Sequence, residues 1–142
     1  MKIIEVNEST QEYVDAIQKF VCLLTSKPTP FTEEDLKKML ASGNSHLFFL
    51  QDDNHIAGMI TVGIYRSPTG LKAWIEDVVV DDAYRGKGFG RMLTQHAIDY
   101  AQSQQADVLM LTSNTSRIVA NNLYQTIGFE RKETNMYRMV LG

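Results

Sequence analysis

From Trp74 to Val80 the chain is apolar apart from Glu76 and Asp77, and after the polar step from Asp81 to Tyr84 it reads Arg85, Gly86, Lys87, Gly88, Phe89, Gly90, Arg91. Phe89, Met92, Leu93, Ala97 and Tyr100 then recur at helical spacing. A buried strand that feeds a helix through a glycine turn needs a sheet with a helix laid on it, so the unit excludes all-α and all-β architectures. Glycines at alternate positions leave backbone N–H groups bare, and a helix N-terminus adds the positive end of its dipole. With Arg85, Lys87 and Arg91 beside them, these groups form an anion cradle suited to a pyrophosphate. The plainer alternative is a solvated glycine turn. A P-loop is excluded because no Gly-Lys pair is followed by Ser or Thr, and the G-x-G-x-G order in mid-chain is not a dinucleotide fingerprint.

The rest of the chain fits around that unit. Lys2 to Val6 reads as a strand, and Ser9 with Glu12 as the capping box of a helix with Tyr13, Ile17, Phe20, Val21 and Leu24 on its core face. Prolines at positions 28 and 30 interrupt, and Thr32 caps a second helix with Phe31 and Leu36 as its hydrophobic staple. His46 to Leu50 and Ile56 to Tyr65 are β-rich runs around a turn at Asp52, Asp53 and Asn54. A loop from Ser67 to Gly70 precedes the strand Ala73 to Val80. A buried strand at Val108 to Leu111, a helix at Ser116 to Thr126 ended by Gly128, and two antiparallel strands at Phe129 to Glu133 and Met136 to Leu141 complete the expectation. The pattern predicts one domain over 1–142, of α/β class, with a mixed, mostly antiparallel central sheet flanked by helices.

With 142 residues, 44% of them hydrophobic, the chain can bury a core, which excludes disorder. A net charge of -3 gives no global attraction to nucleic acid or an anionic membrane. No apolar run reaches the ~18 residues of a membrane span, and the start of the chain has no signal-peptide pattern, so a cytoplasmic protein is expected. Cys22, the lone cysteine, lies in an apolar helical pattern and reads as a buried thiol. His46, His55 and His96 lack metal-ligand spacing, so no metal is expected.

The segment from Arg85 to Gly90 resembles the acetyl-CoA signature of the GCN5-related N-acetyltransferase family, [RQ]-x-x-G-x-[GA], at every specified position. About 34 residues later, Ala120, Leu123, Tyr124, Gly128 and Phe129 resemble that family's A-x-x-[LF]-Y-x-x-x-G-F block. The order of elements agrees along nearly the whole chain.

The resemblance implies direct transfer of an acetyl group from acetyl-CoA to an amine, with no acetyl-enzyme. It implies that the main chains of Val78 and Val80, around Val79, pair with the pantetheine arm as an added strand would. It also implies that the amides from Arg85 through Gly86, Lys87, Gly88 and Phe89 to Gly90 hold the pyrophosphate, with Arg91 close by, and that Asn121 bonds the CoA arm. Tyr124 stands where the family places the proton donor to the departing thiolate. Thiols ionise near about 8.5 and phenols near about 10, so a phenol can donate as the thiolate forms. A core aromatic is the alternative for Tyr124, and a surface amide for Asn121.

By period two, Glu76 and Asp77 point to opposite faces of their strand. Glucosamine-phosphate acetyltransferases carry a similar Ile-Glu-Asp-Val strand with the Glu toward the acceptor, so the resemblance makes Glu76 the general base; a structural ion pair is the alternative. Thr112 and Arg117 stand where ribosomal-protein acetyltransferases carry Glu and Asn, and residues 111–114 lack the Asp-Cys of the glucosamine-phosphate enzymes. The acceptor is therefore expected only as a small-molecule or peptide amine, bordered by loops at Thr25 to Phe31 and Arg66 to Lys72. Family habit favours a homodimer. The rival reading is a catalytically idle module that binds acyl-CoA as a sensor or interaction domain.

Overall fold

Alternation along the longest hairpins decides how the sheet is covered. A computed structural model describes all 142 residues. Its strands are β1 (Lys2–Glu5), β2 (Ser45–Asp52), β3 (His55–Ser67), β4 (Gly70–Val80) and β5 (Val108–Met110). They lie in the order β1-β2-β3-β4-β5, antiparallel except for the parallel β4–β5 pair. The helices are α1 (Gln11–Leu24), α2 (Glu33–Ala41), α3 (Phe89–Ser103) and α4 (Ile118–Ile127). The expected mixed, mostly antiparallel α/β class is found.

The chain divides into two compact units, Met1–Leu111 and Thr112–Gly142. In the first, Leu47, Phe49, Met59 and Val79 on one sheet face join Val14, Ile17 and Phe20 of α1 and Leu36 of α2 in a buried cluster. The other face carries α3, where the rings of His96 and Tyr100 meet Phe48 at 4.6 and 5.0 Å. Tyr100 Oη and Glu5 Oε2 lie 2.9 and 3.3 Å from His46 Nδ1, so a polar cluster ties β1, β2 and α3 together. Burying a side chain such as Phe49 contributes roughly 1.5–3 kcal/mol, far above the ~0.3–0.5 kcal/mol of a helical pair such as Lys37–Glu33. Gly58 lets α3 and β4 close on β3: a Cβ there would lie 2.7 Å from the Val79 carbonyl oxygen and 3.1 Å from Leu93.

Local signals fixed most boundaries. Thr32 and Asp35 form the capping box of α2, with Thr32 Oγ1 accepting from the Asp35 amide at 3.2 Å. At α1 the cap is Thr10, whose hydroxyl accepts from the Tyr13 amide, and not Ser9. The expected loop after Ser67 is a tight turn at Pro68 and Thr69, with Ser67 opposite Gly70.

Other expectations fail. Cys22 is exposed. The buried residues of α1 are Val14, Ile17 and Phe20, whereas Gln11, Asp15, Gln18 and Cys22 run along its polar side, with hydrogen bonds from Gln11 to Asp15 and from Gln18 to Cys22. Leu24 is likewise exposed. β5 is shorter and more open than the expected buried strand, because it pairs on one side only and leaves Val108 45% exposed. In the second unit, 129–142 forms no strand; Met136, Tyr137, Met139, Val140 and Leu141 are exposed. β-rich residues make a strand only where a ladder satisfies their backbone, and no ladder pairs these.

Candidate active site

The carboxylates that interrupt β4 sit at a break in its pairing. Met59 faces Val79 and Thr61 faces Glu76, so Asp77 and Val78 together oppose Ile60. This is a β-bulge, and its extra residue, Asp77, has φ 52°. Aspartate is among the few residues that enter the left-handed region at modest cost. Both Glu76 and Asp77 are exposed, and neither takes part in an ion pair. Partial burial raises the Glu76 carboxyl above the ordinary glutamate value, and the adjacent Asp77 charge raises it further. A carboxylate tuned upward in this way is a better proton acceptor.

Beyond the bulge, β4 loses its other neighbour. The β4–β5 ladder spans only Lys72–Trp74 against Val108–Met110, so from Ile75 to Val80 that edge of β4 has no strand beside it. Val79 anchors the segment with a buried side chain in the core cluster, while Val78 and Val80 are half-buried. The edge can accept an extended chain with amide groups.

The step after β4 is firmly held. Asp81 pairs with Lys19 of α1, accepts from the Ala83 amide at 3.1 Å, and donates its own amide to the Ala57 carbonyl at 2.8 Å. The Lys19 hydrogen bond, followed by that of Ala83, holds the Asp81 carboxyl below its usual range. Gly86 and Gly88 have φ values of +78° and +82°, and a Cβ on Gly86, Gly88 or Gly90 would meet nothing within 4 Å. Gly88 is the N-cap of α3 and offers no side-chain cap, so no capping side chain occupies the first-turn amides of α3. The loop thus fits a phosphate-bearing ligand. Of its cations, Arg85 pairs with Asp82 at 3.1 Å and donates Nε to the Val80 carbonyl at 3.4 Å. Lys87 Nζ lies 5.7 Å from the Tyr84 ring centroid, the Phe89 ring packs beside that same ring, and Arg91 is exposed without an ion pair.

Tyr124 and Asn121 belong to the second unit and lie on α4. Tyr124 is 8% exposed, its ring edge-on to Phe129 at 5.9 Å, and its carbonyl accepts from the Phe129 amide at 2.9 Å. Gly128, at φ +125°, makes the turn that folds Phe129 back. Asn121 Nδ2 donates to the carbonyls of Asn114 and Arg117 at 2.9 and 2.8 Å, so its amide nitrogen braces the start of α4 and its Oδ1 remains for other partners.

Residues that the sequence did not single out adjoin Glu76. Trp74 Nε1 donates to Tyr65 Oη at 3.2 Å across the β3–β4 ladder, on the Glu76 face. Their only sequence signal was two aromatics flanking a turn whose length fixes the register. A separate depression between α1 and α2, about 430 Å³, is lined by Val21, Thr29, Pro30, Phe31, Asp35, Lys38 and Met39 and includes no residue of β4.

Comparison with known proteins agrees with this layout. The profile described as the acetyltransferase (GNAT) family matches residues 16–129. Mycothiol acetyltransferase of Renibacterium salmoninarum is 34% identical over 60% of the chain and 26% of its own length. N-alpha-acetyltransferase 30 of Saccharomyces cerevisiae is 35% identical over 50% of the chain and 40% of its own length. The chain thus spans well under half of these relatives. Among solved structures, an aminoglycoside acetyltransferase from an uncultured soil metagenomic sample superposes with a TM-score of 0.85 over 99% of this chain and 96% of its own; at 18% identity the likeness is one of fold.

Proposed function

The chain belongs to the acetyltransferase (GNAT) family, and from that membership we propose that it moves an acetyl group from acetyl-CoA directly to a primary amine of a small molecule or peptide. The unpaired edge of β4 from Ile75 to Val80, ending at the open glycine turn, carries this reading. When bound, acetyl-CoA supplies an activated thioester carbonyl. The main chains of Val78 and Val80 hold its amide-bearing arm, and the amides from Arg85 to Gly90 hold its pyrophosphate, with Lys87 and Arg91 adding charge.

Glu76 acts on the acceptor. An ammonium has no lone pair for attack, so it must lose a proton first, and Glu76 Oε takes that proton directly or through a water. The new bond joins the amine nitrogen to the carbonyl carbon while the carbon–sulfur bond breaks. Tyr124 Oη gives a proton to the departing sulfur, and the second proton that the nitrogen sheds as the amide forms, passed through water, restores the phenol. Asn121 Oδ1 is a further hydrogen-bond acceptor for the donor's arm. The proposal takes residues 1–142 as one catalytic domain, and the family match over residues 16–129 supports it. No helix is long and apolar enough to cross a membrane, and the cytoplasm is the proposed compartment.

The test is release of free CoA thiol with a panel of amines, followed by mass analysis of the amine for the gain of one acetyl group. Acetyl-CoA binding without acetylation of any amine, at enzyme in excess, would replace this reading with that of an acyl-CoA sensor module.

A further inference from the structure

We propose that Trp74 and Tyr65 form a shelf that binds a second positive charge on the acceptor, so that the preferred acceptor is a diamine and not a monoamine. The inference rests on the reading of Glu76 as the base for the attacking amine. It begins with register. Trp74 faces Gly63 and Glu76 faces Thr61, which puts Trp74 and Glu76 on one face of the β3–β4 ladder, and Tyr65 lies on that same face, diagonal to Trp74.

The two aromatic groups are held and accessible. The bond from Trp74 Nε1 to Tyr65 Oη at 3.2 Å fixes the indole, and Tyr65 is 47% exposed. Gly63, opposite Trp74, has open space where a side chain would stand, for a Cβ there would touch nothing within 4 Å. An aromatic face attracts a cation through its quadrupole, most strongly at Trp. Nearby cations do not compete. Lys72, directly across from Tyr65, is drawn to the turn by its bond to Thr69 Oγ1 at 2.6 Å, and Arg66 is on the opposite face.

Charge complementarity points the same way. Glu76 and Asp77 are adjacent exposed carboxylates without a cationic partner. Together they give the approach to Glu76 a negative charge, which favours an acceptor of higher positive charge. Trp74 and Glu76 are two residues apart on a strand, about 7 Å, which matches amines separated by about five methylenes.

Trp74 is the only tryptophan of the chain, so its fluorescence reports on the shelf without need of turnover. Cadaverine should change that fluorescence saturably, with pentylamine, its singly charged match in length, at least about fivefold weaker. Tyr65→Leu should erase most of the difference, and Tyr65→Phe, which keeps the ring but frees the indole, should retain only part of it. In acetyl transfer, KM should favour cadaverine by a similar factor, and Trp74→Leu should bring the ratio near unity. Equal fluorescence responses to the two amines would overturn the shelf. Transfer to both amines without preference would overturn it while leaving the acetyltransferase reading intact. Selective fluorescence with no acetylation of either amine would sustain the shelf and count against that reading alone.

Discussion

Thr61 of β3 lies directly opposite Glu76 of β4, although one residue earlier on β3 the pairing is broken and Ile60 faces both Asp77 and Val78. The bulge therefore sits immediately beside the proposed base, and the left-handed backbone of Asp77 makes the break. Asp77→Asn and Asp77→Gly should keep the fold, because both residues accept positive φ. Asp77→Val should lose roughly 1–2 kcal/mol, since a β-branched residue is poorly accommodated there. Denaturant unfolding of the three variants checks the ranking; a Val variant as stable as the parent would refute the left-handed bulge.

Glu76 should set the acidic limb of the pH–rate profile. Burial and the Asp77 charge raise its carboxyl, and a base works only when ionised, so kcat/KM should fall below a midpoint higher than an ordinary glutamate's. Asp77→Asn should move that midpoint to lower pH. Glu76→Gln should cut kcat/KM at neutral pH by about 10²-fold, with partial recovery as pH rises toward the ~10.4 of a lysine-like amine. Stability should respond in the opposite sense. A carboxyl whose pKa is raised on folding contributes stability below its unfolded value and loses it as pH rises through the folded one. The Gln variant should therefore melt no lower than the parent at neutral pH.

Gly88→Val tests the cradle. At φ +82° any side chain is strained, and a bulky one also fills the space in front of the α3 amides. The variant should fold with a lower Tm and lose the upward shift that acetyl-CoA gives the parent. NAD at equal concentration should shift neither protein. An unchanged acetyl-CoA shift in Gly88→Val would place the phosphates elsewhere.

Tyr124→Phe keeps the ring against Phe129 and removes only the hydroxyl. If Tyr124 gives the proton to sulfur, kcat should fall toward the lower end of the ~10²–10⁴ range, with little change in acetyl-CoA affinity. Full turnover across the pH range would return Tyr124 to a packing role.

How far the sequence could be read depended on the distance over which each signal acts. The Thr32 cap of α2 and the glycine turn that leads into α3 are set by residues within one turn, and both were legible. Gly128 likewise marked the end of α4. The bulge was not, because aspartate adopts left-handed backbone without announcing it as glycine does, and only the β3–β4 register reveals the extra residue. The Trp74–Tyr65 contact was hidden for a related reason: it depends on the two-residue turn at Pro68 and Thr69, where a longer loop was expected. Cys22 was misplaced because an apolar neighbourhood in sequence straddles both sides of a helix. The residues near the chain end alternate like strands, yet a strand exists only with a partner.

The short β4–β5 ladder has a cost besides its use. A bare strand edge is a template on which another chain can grow, the first step toward aggregation, and the run from Ile75 to Val80 is otherwise of the composition that invites it. Two adjacent negative charges and a kink out of the strand plane are what discourages such growth. Glu76 and Asp77 supply both at the place where the ladder stops, so the pair that interrupts an apolar strand also guards its open edge.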